Sequence, residues 1–395
     1  MKIPVTKPTL GIEEIELLSE VIKSGWVVQG KYVKEFEERF ARFTGAKHAI
    51  ALNSCTSGQF LASTVFGLKE GDEVIVPAFT WISTANSIDF FRAKPVFCDV
   101  EFDTFNIDAN KIESLITEKT KAVYPVNLFG LPADLDKIYE LSVKYNLKVA
   151  EDCACGLAGY SRDRHCGTFG DMGIFSFHPR KSITTGEGGM LITDNDDYAE
   201  YVRSLREHGA LRSDLERHEG NRAFLLTDYP HIGFNYRMTD IQGALGVAQM
   251  DKLPLIIKEK QEIAEKFHEK IKDVSWLHSF SDFENKRHGY QAFVCWFKPE
   301  ETEKAIRNKD LSEILKLHEE RNAVMEKLEN LGIASRQGTH AVHIQKYYKD
   351  KYHFSEMDFP VSYAADRLSF TLPFYPFMKD EEIDYLFAQL KNIGL

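Results

Sequence analysis

From His48 to Asp152 the chain alternates short β-like runs with segments long enough for helices, and this alternation restricts the fold more than any other feature. The runs are HAIAL, EVIVP, KPVFCDV, KAVYPV and LKVAED. Between the last two, Leu135, Ile138, Leu141 and Tyr145 recur at helical spacing, so 133–145 reads as an amphipathic helix. Upstream, Val33, Phe36, Phe40 and Phe43 share another helix face, and Gly45 ends that helix. Strands separated by helices of this length imply a mostly parallel sheet covered on both faces. Ligands in such sheets sit beyond the carboxyl ends of the strands, so the loops after the runs are where chemistry is expected.

The alternation loosens after about residue 250. A Lys/Glu-rich helical stretch follows Pro254, read as a breaker, and QAFVCWF, a helix over 311–330 and a last helix near 381–393 suggest a small α+β domain. We therefore expect a large domain over 1–252 and a small one over 253–395. A helix near 12–23 is expected to pack with the small domain or bridge to a partner. With 60 acidic and 49 basic residues the chain carries a net charge of −11, the wrong sign for a nucleic-acid binder. Polar residues interrupt its longest uncharged stretch, so no membrane span is expected. The first residues lack the apolar core of a signal peptide, which implies a cytoplasmic protein with its six cysteines reduced. Cys153 and Cys155 alone are not a zinc framework, and no metal is expected.

Nucleotide signatures fail. There is no phosphate loop of the G-x-x-x-x-G-K type, and TTGEGGM precedes a β-like run where a dinucleotide fingerprint should open a helix. Another set of residues fits together. Lys181 lies just beyond GIFSF among small and hydroxylated neighbours, and Asp152 closes a buried run. Taken alone, the lysine is solvated surface and the aspartate an N-cap or turn residue. Together they are what pyridoxal phosphate needs: an amine to bond the cofactor and a carboxylate to hold its pyridine nitrogen protonated. The segment NSCTSG, residues 53–58, follows a strand and opens a helix, where N–H groups and the hydroxyls of Thr56 and Ser57 suit a phosphate as well as they suit plain capping. Ser176 adds a hydroxyl, and Trp81 can cover a ring or belong to the core.

The motifs SGWVVQGKYVKEFEERF, NSCTSG, DEVIVPAFTWISTANSI, AVYPVNLFGLPAD, VAEDCA, SFHPRKSITTGEGGM and GFNYRMTDIQGALGVAQM resemble, in order, the DegT/DnrJ/EryC1/StrS family of pyridoxal phosphate-dependent sugar aminotransferases. The resemblance implies an α/β fold of type I, aspartate aminotransferase-like, with a large mixed or parallel sheet domain and a small C-terminal α+β domain. It implies a homodimer with shared active sites, a keto-sugar nucleotide as acceptor and an amino acid, glutamate, as donor. It makes Lys181 the Schiff-base lysine, Asp152 the pyridine-nitrogen partner, Trp81 the stacking residue, and Thr56, Ser57 and Ser176 phosphate ligands. Asn235 would reach the same phosphate from the neighbouring subunit. The chain departs from the family in two places near the cofactor: Cys155 stands where Gln or His is usual, and Asn127 replaces a His. For the substrate, Arg212, Arg222, Arg336, His340 and His343 are candidates. Some relatives are dehydratases with His in place of the lysine, which Lys181 argues against. A cyclitol-ketone aminotransferase and a non-catalytic sugar-sensing regulator are the alternative readings.

Overall fold

The structure is a computed structural model describing residues 1–211, 227–281 and 283–393. Seven strands form the main sheet: β1 (His48–Leu52), β2 (Glu73–Pro77), β3 (Lys94–Cys98), β4 (Thr120–Val123), β5 (Lys148–Asp152), β6 (Met172–Ser176) and β7 (Gly189–Thr193). Their order is β1-β7-β6-β5-β4-β2-β3. Pairing is parallel from β3 through β6, and β7 alone runs against its neighbours. The strands read as unbroken Val, Ile, Ala and Leu runs because helices cover both faces of the sheet.

On one face α2 (Lys31–Thr44) buries Phe36 and Phe40 against Phe177 and Phe175, with ring centroids 5.0 Å apart in both pairs. Gly45 takes a left-handed conformation and stops that helix, as the sequence suggests. On the other face α3 (Cys55–Val65) packs Leu61 and Ala62 into a cluster with Ile50, Val76, Tyr124 and Ile174. The helix expected at 133–145 forms over Leu135–Tyr145.

The second layer system is a three-stranded antiparallel sheet of β8 (Leu277–His278), β9 (Phe293–Phe297) and β10 (Ser369–Leu372). It shares a core with α5 (Leu311–Asn330) and α6 (Asp380–Asn392), in which Trp296 stacks on Phe102 at 4.5 Å.

Two expectations are corrected here. Pro254 does not break the chain, because it lies inside α4, a 32-residue helix over Asp240–Ile271. An internal proline costs about 3 kcal/mol, yet Leu253 and Ile256 beside it are fully buried, and each such side chain contributes roughly 1.5–3 kcal/mol. Packing wins, and the helix continues. Along α4 the buried residues up to Ile256 join the cluster under α2, and those from Ile263 join the cluster around the three-stranded sheet, which also takes in Phe79, Val100 and Phe105 from the first half of the chain. The second correction concerns only the packing of α1 (Ile12–Ser24) on the small domain. It lies along the large-domain half of α4, where Glu14 accepts from Gln249 and pairs with Lys252 at 2.7 Å. Ile3, not this helix, enters the small-domain core, bridging to Ile333.

Candidate active site

The pleat of β5 sends its last two carboxylates to opposite sides. Glu151, fully buried, accepts from the N–H groups of Gly167, Phe169 and Gly170 at 2.7–3.0 Å and so holds the turn before β6. Asn127 joins this structural network, donating to Glu151 at 3.1 Å. Asp152 faces the carboxyl end of the sheet. One oxygen accepts from Gln59 Nε2 at 2.6 Å and Thr84 Oγ1 at 2.8 Å, the other from the Ala154 N–H at 3.0 Å. Burial raises its pKa, while these donors and the charge of Lys181 oppose the rise.

Lys181 sits in a turn after β6, its N–H bonded to the His178 carbonyl at 2.8 Å. Its Nζ donates to Cys155 Sγ at 3.2 Å. The cysteine is thus a neighbour of the amine itself. A thiol is a weak acceptor, so this contact restrains Lys181 little.

The loop 53–58 enters α3 through Ser54, whose hydroxyl accepts from the Ser57 N–H at 3.1 Å. The Ser57 hydroxyl donates to Asn53 Oδ1 at 2.5 Å and lies 2.9 Å from that of Ser54. Thr56 is exposed on the first turn. This loop rests on Gly189, where an added Cβ would come within 2.4 Å of the Ser54 backbone, so only glycine lets the two segments meet. Ser176 pairs with Gly189 across β6 and β7, which brings its hydroxyl to the same corner. Thr56 and Ser57 from one loop and Ser176 from a distant strand end therefore meet at one helix N-terminus, the geometry an anion requires.

At the mouth, Trp81 is 60% exposed, with its ring 5.7 Å from that of His340. Asn235 is exposed; its carbonyl accepts weakly from Asn53 Nδ2 at 3.5 Å, so its backbone borders the phosphate-type loop of its own chain. Arg336 is half-buried, close enough to Arg180 and Cys155 for their charges to act on it. His343 is corrected: it is fully buried against Phe359, with Nε2 near the Glu356 carbonyl, and is part of the packing, not a substrate contact. Arg212 and Arg222 lie outside the described residues.

Sequence reasoning missed Gln59, Thr84 and Lys260. Thr84 lies three residues beyond Trp81, and Gln59 is a buried amide in an otherwise small and apolar helix turn. Lys260 hides in a charged stretch, yet it falls in line with Leu253, Ile256, Ile263 and Phe267 on the buried stripe of α4. Burial lowers its pKa to about 8.

Residues 8–391 match the DegT/DnrJ/EryC1/StrS aminotransferase family. The chain belongs to this family. Among relatives, it is 34% identical to the spore coat polysaccharide biosynthesis protein SpsC of Bacillus subtilis over 99% of this chain and 97% of that one. A Streptococcus pneumoniae protein named as a sugar aminotransferase and solved in its PLP form superposes with a TM-score of 0.87 at 26% identity, over 100% of this chain and 98% of that one. A GDP-4-keto-6-deoxymannose-3-dehydratase, ColD, solved with bound GDP-perosamine, superposes at 0.86 and 26% identity, over 99% of this chain and 100% of that one. The fold is thus the type I, aspartate aminotransferase-like fold, and the protein is an enzyme of the pyridoxal phosphate-dependent sugar aminotransferase class. Its family also shares this fold with a dehydratase, so the side chains must separate the two chemistries.

The residues present fit the family's cofactor. An ionised carboxylate offers about four lone-pair sites; Asp152 spends three, leaving capacity on the oxygen that holds only the Ala154 N–H. No helix among the described residues is long and apolar enough to cross a membrane, and no described cluster of ligands suits a metal ion.

Proposed function

We propose that this family member transfers an amino group from L-glutamate to the ketone of a nucleotide-linked keto-deoxysugar, using pyridoxal phosphate. The observation that carries the reading is the pairing of an amine with no carboxylate partner among the described residues, Lys181, and a buried carboxylate, Asp152, within electrostatic reach of each other at the strand ends. A dehydratase of this family would hold His at the lysine position, and Lys181 supports the transaminase.

When bound, the cofactor supplies an electron sink for the pair left behind as the donor Cα loses its proton. The Asp152 carboxylate would hold a proton on the pyridine nitrogen. Lys181 Nζ would bond the cofactor at rest; displaced by the donor amine, it would take the proton from the donor Cα, and in the second half-reaction it would return one to the carbon that was the ketone. Thr56, Ser57 and Ser176 would hold the phosphate, with Trp81 over the ring face. A mass-spectrometric screen of keto-sugar nucleotides and inososes, each with glutamate or glutamine, tests the substrate. Amination of a nucleotide sugar is expected; amination of an inosose alone would replace this reading with the cyclitol one.

The active unit in this reading is a homodimer in which Asn235 reaches the partner's phosphate site. Its exposed side chain leaves it available to a partner, although its carbonyl borders the loop 53–58 of its own chain, and a two-fold axis would repeat the contact in both sites. Mixing Lys181→Ala with Asn235→Ala subunits should restore part of the lost activity, because one site of each mixed dimer would hold both lesions and the other neither. No recovery despite proven subunit exchange would put both residues in one subunit's site.

A further inference from the structure

A buried lysine and a half-buried arginine lie near Lys181 with no carboxylate among the described residues to neutralise them. Lys260 is 4% exposed, and its contacts are a long 3.4 Å approach to the Ser182 hydroxyl and the Phe374 ring at 5.8 Å. Arg336 has its backbone fixed on both sides by Thr371, at 3.3 and 2.7 Å, while its buried Nε has no partner. Among the described residues neither side chain forms an ion pair. The buried arginines differ in having partners for their charge: Arg206, though its Nε is also unpartnered, meets Glu37 at 2.6 Å, and Arg321 spends its guanidinium on the Ser369 carbonyl and Asn322.

Leaving a buried cation unpaired costs several kcal/mol, and this chain has acidic residues in excess. The cost is repaid if an anion arrives from outside. Lys260 Nζ approaches the hydroxyl of Ser182, the residue after Lys181, at 3.4 Å, and both cations lie within electrostatic reach of Cys155, whose sulfur is 3.2 Å from Lys181 Nζ. The anion therefore belongs next to the reacting atom.

That location selects the kind of anion. The cofactor phosphate already has the hydroxyl corner at the start of α3. In the amino donor, the carboxylate is bonded directly to the Cα whose proton Lys181 must take. In a nucleotide sugar, the diphosphate sits on the anomeric carbon, further from a ketone elsewhere on the ring. We infer that Lys260 and Arg336 together receive the α-carboxylate of the amino donor. The inference rests on the transaminase reading given above, and it deepens that reading by assigning the donor side of the site to residues from α4 and from the segment paired with β10. Arg336, at first one of several candidates for the acceptor, thereby becomes a donor contact. Its planar fork suits a carboxylate, and Lys260 adds a point charge.

The test uses holoenzyme and two binding probes: glutarate, a dicarboxylate with no amine to react, and uridine diphosphate. Lys260→Met and Arg336→Gln should each weaken glutarate binding, measured by calorimetry, by about 10- to 100-fold, the loss typical of a hydrogen bond to a charged group. Uridine diphosphate affinity should stay within twofold. The loss of the bound cofactor's visible absorbance on adding L-glutamate should need correspondingly more donor. Lys260→Arg and Arg336→Lys keep the charge and should retain most of the glutarate affinity, which separates a carboxylate site from a packing defect. The inference is overturned if wild type does not bind glutarate, if the neutral variants bind it as wild type does, or if they lose uridine diphosphate instead. These measurements involve no ketone, so failure of every acceptor sugar would sink the proposed substrate and leave this result standing.

Discussion

Lys181→Ala will fail to turn over. The wild-type protein mixed with pyridoxal phosphate and treated with borohydride will carry the cofactor on the peptide containing Lys181, and the variant will carry none. The loss is expected to reach at least about 10⁴-fold, because one amine must both hold the cofactor and move the proton, and general acid–base catalysis alone contributes 10²–10⁴-fold. Cys155 cannot replace the amine, because its thiol borders Lys181 but is not positioned by any second base among the described residues. Label on a different lysine would remove Lys181 from the mechanism.

Asp152→Asn is the second large effect, expected at about 10²-fold or more in kcat. The amide has lost the charge that keeps a pyridine nitrogen protonated. It also has a geometric fault, since all three present partners of the carboxylate, Gln59, Thr84 and the Ala154 N–H, are donors or turn a donor toward it. With its oxygen kept on the Ala154 N–H, the new NH₂ must face Gln59 and Thr84, which can accept from it only if the amide and the hydroxyl both reverse, so the packing around the site has to reorganise. Activity and melting temperature should therefore fall together in Asp152→Asn. A variant that melts early but turns over normally would reduce Asp152 to a residue that shapes the turn.

The sheet was legible because strands covered on both faces must be almost wholly apolar, and the runs from HAIAL to LKVAED stand out on that ground alone. What hydrophobicity does not encode is direction. Nothing in GMLIT distinguishes β7, the one reversed strand, from its parallel neighbours. The cofactor residues could be read from their places after strands, since the fold gathers strand ends at one edge. Gln59 and Thr84 could not be read that way, because their work is done on Asp152 from helices on which they look like ordinary polar residues. Lys260 and His343 failed in opposite directions for one reason: residue type suggests surface for a lysine and chemistry for a histidine, while the packing buries the first beside Lys181 and the second among Phe354 and Phe359. Pro254 failed because a local propensity of about 3 kcal/mol is weaker than the burial of the residues around it.

Helix α4 also limits how proteins of this build can recombine. Its two ends are committed to different cores, with Ile256 the last residue of one and Ile263 the first of the other, and no loop separates them. A chimera that joins the front of one relative to the back of another must be spliced inside a helical turn. An insertion or deletion of one residue there would rotate everything downstream by about 100°, lifting Ile263, Phe267 and Ile271 out of the core they fill. Only junctions that preserve length should yield folded hybrids, and a junction on either side of residue 260 decides which parent supplies the buried cation.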